Sequence, residues 1–318
     1  MRLLLTGATG FLGAAITKRL VSDANYRLVL AVRRVLPGHV PNVSSVLVDD
    51  LSAATDWTSA LAGIDVVIHA SARVHVMNDT ATDPREAFHK VNFEGTMALA
   101  RQAVRAGVRR FIFISSIKVN GEETMPGKPF TADDLPKPVD PYGVSKAETE
   151  QALRALATET GIEVVIVRPV LVYGPGVKAN FNSMMKWLSK EVPLPLGSVH
   201  NKRSLVALDN IVDLIVACVE HPAAANQVFL VSDGEDLSTT ELLQRVGNAL
   251  GVRTRLLPVP AMLIKFAASL LGKRAMSQRL LGSMQVDISK TRELLDWVPP
   301  VSVDAALEKT AQSFLSQK

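Results

Sequence analysis

One cysteine, Cys218, stands in a chain of 318 residues. That excludes an intrachain disulfide and fits a reducing cytoplasm, so a cytoplasmic location is expected. Within "IVACVEHP" the cysteine reads as a helix-core residue with no chemical role. Long apolar runs are missing as well. No stretch reaches the roughly 18 residues of a membrane span, and no transmembrane segment is expected. The opening "MRLLLTGATG" holds too short an apolar stretch for a signal peptide and runs straight into a glycine turn. Dense basic runs are absent: the clusters are pairs such as Arg33-Arg34 and Arg109-Arg110. Net charge is +4 and the pI is near 9.2. That mild balance suits anionic small ligands, and no nucleic-acid partner is expected. The histidines, His39, His69, His75, His89, His200 and His221, show no H-x-x-x-H spacing and no cysteine pairing, so no metal site is expected. There is no internal repeat and no low-complexity tract.

What remains is a globular composition, 47% hydrophobic and 21% charged, long enough for about two domains. The first half alternates short apolar runs with helical patterns. The runs 2–6, 27–32, 45–49, 65–70, 110–115 and 163–168 have the length of strands buried on both faces. Helices are expected near 10–21, 84–106 and 141–160. The last two open on Asp83-Pro84 and Asp140-Pro141, an acidic cap followed by proline at the first helical position. Such alternation predicts a Rossmann-type, doubly wound parallel sheet of the α/β class. After Arg168 the regularity fades. A helix is expected over 208–222 and a further strand over 227–232, with mostly helical structure over 233–318. The expected division is a dinucleotide-binding domain over 1–169 plus about 206–232, and a smaller, mostly helical C-terminal substrate-binding domain over about 170–205 and 233–318.

Two local patterns carry chemistry. "TGATGFLG" places Gly7, Gly10 and Gly13 after the first strand and at the mouth of a helix. Glycines there permit a tight turn and let a pyrophosphate approach the positive helix end. About 20 residues on, where an acid would hold the ribose of NAD, stand Arg33 and Arg34. Guanidinium groups there suit a 2′-phosphate, so NADP(H) is expected over NAD(H). Asp50 and Leu51 follow the third strand, where an Asp can bond the adenine amine. The second pattern is "VDPYGVSKAETE", with Tyr142 and Lys146 four apart at a helix start. Residues so spaced share a face, their Cβ atoms roughly 5–6 Å apart. An ammonium there favours the phenolate and pulls the tyrosine below its usual value of about 10, toward general acid/base use.

Taken together, these motifs resemble the extended short-chain dehydrogenase/reductase superfamily, in its NAD(P)-dependent nucleotide-sugar epimerase/dehydratase/reductase branch, over nearly the whole chain. "TGATGFLG", with Phe11 and Leu12, is similar to its dinucleotide turn, and "HASA" with Ala70, Ser71 and Ala72 to the segment along the cofactor. "VNFEGT" resembles its N-x-x-G-T, with Asn92 steadying the fourth strand and the site. "FIFISSIKVNG" resembles the strand ending in the active-site serine, here Ser116. "PYGVSK" supplies Tyr142 and Lys146. "RPVLVYGPG", with Pro169 and Val172, resembles the segment over the nicotinamide, and "RSLVALDNI" the segment whose arginine, here Arg203, meets the substrate diphosphate. "LLDWVPP" resembles the terminal L-x-W-x-P. The resemblance implies Tyr142 as acid/base, Lys146 on the nicotinamide ribose and Ser116 on the same sugar oxygen. Lys118, Asn180 and Arg279 are further substrate candidates, and His75 a candidate site-lining residue.

Departures narrow the reaction. Ile117 and Lys118 stand where dehydratases of the branch carry acids, which argues against 4,6-dehydration. Asn120 replaces the tyrosine of many relatives, and its role is open. Two readings remain, an NAD-dependent UDP-sugar 4-epimerase and an NADPH-dependent 4-keto reductase. Arg33-Arg34 favour the reductase. "GVKANFNSMMKWL" and "PLPLGSVHNKRSLVALDNIVDLI" resemble enzymes that make 6-deoxy-amino-sugar precursors for bacterial surface polysaccharide, and that resemblance implies reduction at C4 of a UDP-4-keto-6-deoxy-N-acetylhexosamine. A non-catalytic dinucleotide-binding regulator is a third reading, against which the Ser116/Tyr142/Lys146 set speaks. A homodimer through the helices near 84–106 and 141–160 is expected, with Val91, Ala98, Leu99, Ala152, Leu153 and Leu156 as interface or core. The amphipathic stretch "AMLIKFAASLLGKR" is expected to be a buried substrate-domain helix, its alternative being a membrane-surface helix.

Overall fold

Strands rich in Val, Ile, Leu and Phe can be buried on both faces only when helices cover both sides of the sheet. Such strands form the centre of this fold. The computed structural model describes residues 1–34, 41–74, 83–125, 127–270, 272 and 274–317. β1 (Arg2–Thr6), β2 (Arg27–Val32), β3 (Val43–Leu47), β4 (Val66–His69), β5 (Arg110–Ile114), β6 (Glu163–Pro169) and, later in the chain, β9 (Val228–Val231) make one sheet. Its order is β3-β2-β1-β4-β5-β6-β9, parallel throughout. Strand order reverses between β1 and β4, so a crevice opens beyond their carboxyl ends, where ligands bind in such sheets. β3 lies two residues earlier than expected, over an edge where only Val43 and Val46 turn partly inward.

Helices flank this sheet. α1 (Phe11–Val21) follows the glycine turn, and a single turn, α2 (Thr58–Leu61), precedes β4. The expected helix near 84–106 forms in three parts: α3 (Pro84–Phe88), a π-helical segment (His89–Gly95) and α4 (Thr96–Arg105). Asp83 caps α3 by accepting from the backbone N–H groups of Arg85 and Glu86. α5 (Pro141–Thr160) is capped by Asp140, which accepts from Gly143 N at 2.7 Å. Leu99, Leu153 and Leu156 are buried within the chain itself, while Val91, Ala98 and Ala152 are half-buried.

Past β6 the chain builds a second layer. β7 (Leu171–Tyr173), β8 (Arg203–Ala207) and β10 (Asp236–Leu237) form a small sheet in the order β10-β8-β7. It is joined by α6 (Ala179–Leu188), α8 (Thr239–Ala249), α9 (Ala261–Leu270), α10 (Arg274–Leu281) and α12 (Val303–Leu315). Tyr173, Phe181, Leu205, Leu243 and Leu307 belong to its separate core. Between these pieces α7 (Leu208–Glu220) and β9 return to the large sheet, and Ile211, Leu214 and Ile215 pack in the first core. The C-terminal stretch is divided too. α11 (Ser289–Leu295) lies along β9, where Thr291 Oγ1 donates to Leu230 O at 2.7 Å. Trp297 donates to Asp213 at 2.9 Å and packs in the first core.

Candidate active site

The glycine turn is fixed by contacts that a side chain would destroy. Gly7 has φ +74° and sits where a Cβ would come within 2.9 Å of the Ala70 carbonyl and Ser71 N. A Cβ on Gly13 would lie 2.0 Å from Gly7 O. Gly10 is the N-cap of α1 and offers no side chain to it, and the first turn holds no acid. That leaves an eleven-residue helix with a positive end open to an anion. The turn therefore fits the pyrophosphate of a dinucleotide. Phe11 and Leu12 form the first helical turn, and Ala70, Ser71 and Ala72 run past it from the end of β4.

Arg33 and Asp50, expected to contact different parts of the cofactor, bond to each other, Nη1 to Oδ1, at 2.8 Å. Both side chains are largely exposed, 75% and 81%, so the pair contributes about 0–1 kcal/mol and yields readily to a ligand. Arg34 is exposed beside it. Leu51 packs against Gly95: a Cβ there would meet the Leu51 side chain at 2.6 Å. This contact explains the glycine of "NFEGT".

Asn92, held in the π-helical segment, is a two-way clamp. Its Oδ1 accepts from Arg73 N at 2.8 Å, and its Nδ2 donates to Arg73 O at 3.0 Å and to Ser145 Oγ at 3.1 Å. Ser145 in turn donates to Tyr142 O at 2.8 Å. One amide thus ties the segment after β4 to the first turn of α5. A π-helical turn is an uncommon feature that concentrates at functional sites.

Ser116, at the end of β5, accepts from Lys118 N at 3.3 Å. Across from it α5 starts very close, because a Cβ on Gly143 would come within 2.9 Å of Lys118 O. Tyr142 meets the edge of Phe88 with ring centroids 5.9 Å apart. Lys146 Nζ donates to Ile114 O at 2.8 Å. It also lies 4.4 Å from the Phe113 ring centroid and 5.9 Å from that of Tyr142.

The electrostatics differ from the pairwise expectation. Burial pushes the Tyr142 phenol above its ordinary value, with the Asp140 carboxylate adding to it. The neighbouring ammonium does not dominate, because the same burial lowers Lys146 to about 7, with Glu150 pulling it back up. Depression of the phenol therefore requires a further positive charge in the site.

Lys118 is engaged within the chain. Its ammonium bonds the Asp140 carboxylate that caps α5, and Glu122 lies 3.7 Å away. Asn180 is exposed in the first turn of α6. Arg203 donates to Gly282 O at 3.0 Å, and burial is the main influence lowering its pKa. Pro169 and Val172 are half-buried around the β6–β7 turn. Arg279 lies in α10 with its side chain outside the described residues, as is His75 altogether.

Two groups escaped the motif reading. His69, at the end of β4, is fully buried between Thr6 Oγ1 at 2.8 Å and Thr96 Oγ1 at 2.9 Å. Burial, assisted by Lys146, lowers it to about 3. Between that value and its ordinary 6.5 the unfolded chain binds the proton and the folded chain does not, so this residue's contribution to stability falls as pH drops through that window. We expect His69→Asn to flatten the loss of thermal stability over this window, measured as melting temperature against pH. An unchanged slope would show that other groups set it.

The second is a buried network. Arg168 donates through Nη2 and Nε to Glu150, at 2.5 and 2.9 Å, and through Nη1 to Asn120 Oδ1 at 2.9 Å. Ser115 Oγ donates to Glu150 at 2.5 Å, and Asn120 Nδ2 to Thr131 O at 2.8 Å. Asn120 thus has a partner on each side of its amide. The available signal was Glu150, one helical turn beyond Lys146 on the same face.

Comparison with known proteins gives the family. Residues 3–232 match the NAD dependent epimerase/dehydratase family. The chain is 50% identical over 317 residues to a UDP-glucose 4-epimerase of Vibrio cholerae, covering 98% of this chain and 95% of the relative. A UDP-glucose 4-epimerase of Mycolicibacterium smegmatis is 30% identical over 335 residues, covering 99% and 98%. The crystal structure of UDP-glucuronic acid 4-epimerase from Bacillus cereus with NAD superposes with a TM-score of 0.79 at 23% identity, covering 100% of this chain and 99% of that one. At that identity the likeness speaks for the fold, and the family rests on the sequence matches. The chain belongs to the NAD-dependent epimerase/dehydratase family.

Proposed function

We propose that the chain is a UDP-sugar 4-epimerase that keeps NAD bound, with UDP-glucose as the first substrate to test. The observation that carries the reading is the Tyr142–Lys146 pair on α5, facing the end of β5 beside a glycine turn open to a pyrophosphate. The 50% identical relative named a UDP-glucose 4-epimerase supports it. The dinucleotide, bound along the glycine turn, supplies a hydride acceptor and donor. Tyr142 removes the proton of the C4 hydroxyl as that carbon is oxidised and returns it on reduction. Ser116 hydrogen-bonds the same oxygen. Lys146 holds the nicotinamide ribose, and Arg203 meets the substrate diphosphate. The half-buried faces of α4 and α5 suit a homodimer.

Incubation with UDP-glucose and no added reductant tests the reading. UDP-galactose should accumulate to equilibrium, and no conversion by NAD-loaded protein would overturn it.

Arg33 and Arg34 support a second reading, an NADPH-dependent reductase of a UDP-4-keto sugar, because both follow directly on β2, where a 2′-phosphate would lie. Cofactor affinity separates the two. For the epimerase we expect NAD to bind more tightly than NADP by calorimetry, with Arg34→Ala changing the NAD constant little. If NADP binds tighter and Arg34→Ala weakens it by about 1.5–3 kcal/mol, as for a lost charge-assisted bond, the reductase replaces it.

A further inference from the structure

α9 was expected to be buried, and one face of it is exposed. Met262, Leu263, Phe266 and Leu270 are 82%, 59%, 65% and 73% exposed. Met262, Phe266 and Leu270 are four residues apart and form one stripe, with Leu263 beside it. The opposite face, through Ile264 and Ala268, packs inward. Scattered apolar residues on a surface need no explanation, but a contiguous stripe of this size marks an interaction site.

Charge identifies the occupant. From Leu242 to Val286 the sequence has no Asp and no Glu, yet it carries Arg245, Arg253, Arg255, Lys265, Lys273, Arg274 and Arg279. Outside this stretch acids outnumber bases, although the whole chain is +4. Two of the cations are engaged locally, Arg245 by Glu235 and Asp304 and Arg255 by Glu191. Lys265 is exposed at the border of the apolar stripe, and Arg253 is exposed shortly before it. Glu123 shares a cleft with Lys265 and Ser269. An outward apolar stripe set in an acid-free, basic stretch matches an anionic lipid surface, which takes the apolar side chains into its acyl boundary and the cations at its headgroups.

We propose that α9 docks this protein on an anionic bilayer surface. The contact is peripheral in kind, since no helix among the described residues is long and apolar enough to cross a membrane. The proposal is independent of which sugar the active site takes.

The test is co-sedimentation of the full chain with vesicles of equimolar phosphatidylcholine and phosphatidylglycerol, against vesicles of phosphatidylcholine alone. Binding to the anionic vesicles is expected, weakened by salt. Phe266→Glu combined with Leu270→Glu should reduce it at least tenfold, and Lys265→Ala by about fivefold, the effect of one cation near such a surface. Melting temperature of each variant checks the fold, and light scattering its assembly. Absence of binding to anionic vesicles, or equal binding by the double variant, overturns the proposal. So does a double variant that merely splits an oligomer while the native chain ignores vesicles, which would make the stripe a contact between copies.

Discussion

Tyr142→Phe should lower kcat for sugar interconversion by about 10²–10⁴-fold, the usual worth of a general acid/base. The ring contributes packing as well as chemistry, and the two are separable here. Its edge contact with Phe88 survives the loss of the hydroxyl, as does the bond from Ser145 to the backbone carbonyl. Melting temperature and dinucleotide content should therefore stay near native. The loss should fall on kcat more than on KM, because the hydroxyl's role is greatest while the proton moves. Lys146→Met should cost more. On the proposed reading it removes the charge that steadies the phenolate and a cofactor ligand together, and it leaves Ile114 O without its donor. Ser116→Ala should cost less than either if Ser116 only orients the oxygen. Near-native turnover by Tyr142→Phe would remove the catalytic assignment.

The phenol's environment adds a condition. With burial holding its pKa up and Lys146 itself lowered to about 7, the protein's own groups are poor at making a phenolate. A positively charged ring in the site reverses the balance for the tyrosine. An oxidised nicotinamide is such a ring, so the base should become competent only in the loaded enzyme.

What the sequence made legible follows from where information is local. β1, β2, β5 and β6 were readable because each is an unbroken apolar run, and each is buried on both faces. β3 slid by two residues because it is a half-exposed edge whose polar serines carry no period. The short β7 and β10 leave no pattern at all. The glycine turn was legible because its glycine spacing lies within seven residues, from Gly7 to Gly13, although the close approach of Gly7 to Ala70 and Ser71 comes only with the fold. α9 was misread because apolar periodicity does not say which face meets the core, and here both faces are apolar. The tyrosine's pKa was misread because counting neighbouring charges omits desolvation. The network of Ser115, Asn120, Glu150 and Arg168 joins groups scattered over 53 positions, and only the packing of β5, α5 and β6 brings them together.

Breaking that network should give the largest stability effect in the molecule. Arg168 and Glu150 are 1% and 3% exposed, so neither charge can turn to water. Glu150→Ala leaves a guanidinium buried with only Asn120 beside it, and orphans Ser115 Oγ. Removing one partner of such a pair costs about 3–5 kcal/mol, beyond most single substitutions. Urea denaturation should show a correspondingly lower midpoint at unchanged slope. A pair of apolar replacements behaves differently, because no uncompensated charge remains. Glu150→Leu with Arg168→Met should recover much of the lost stability. Turnover should not recover with it. Glu150 stands one turn beyond Lys146 and raises its pKa, and Ser115 adjoins Ser116, so the network also sets the charge and placement of two site residues. The pH profile of kcat distinguishes this from a purely structural role. In the double variant, the ionisation assigned to Lys146 should shift downward, since its counter-charge is gone. Stability and activity recovering together, with an unmoved profile, would show that the pair holds the fold and does nothing for the site.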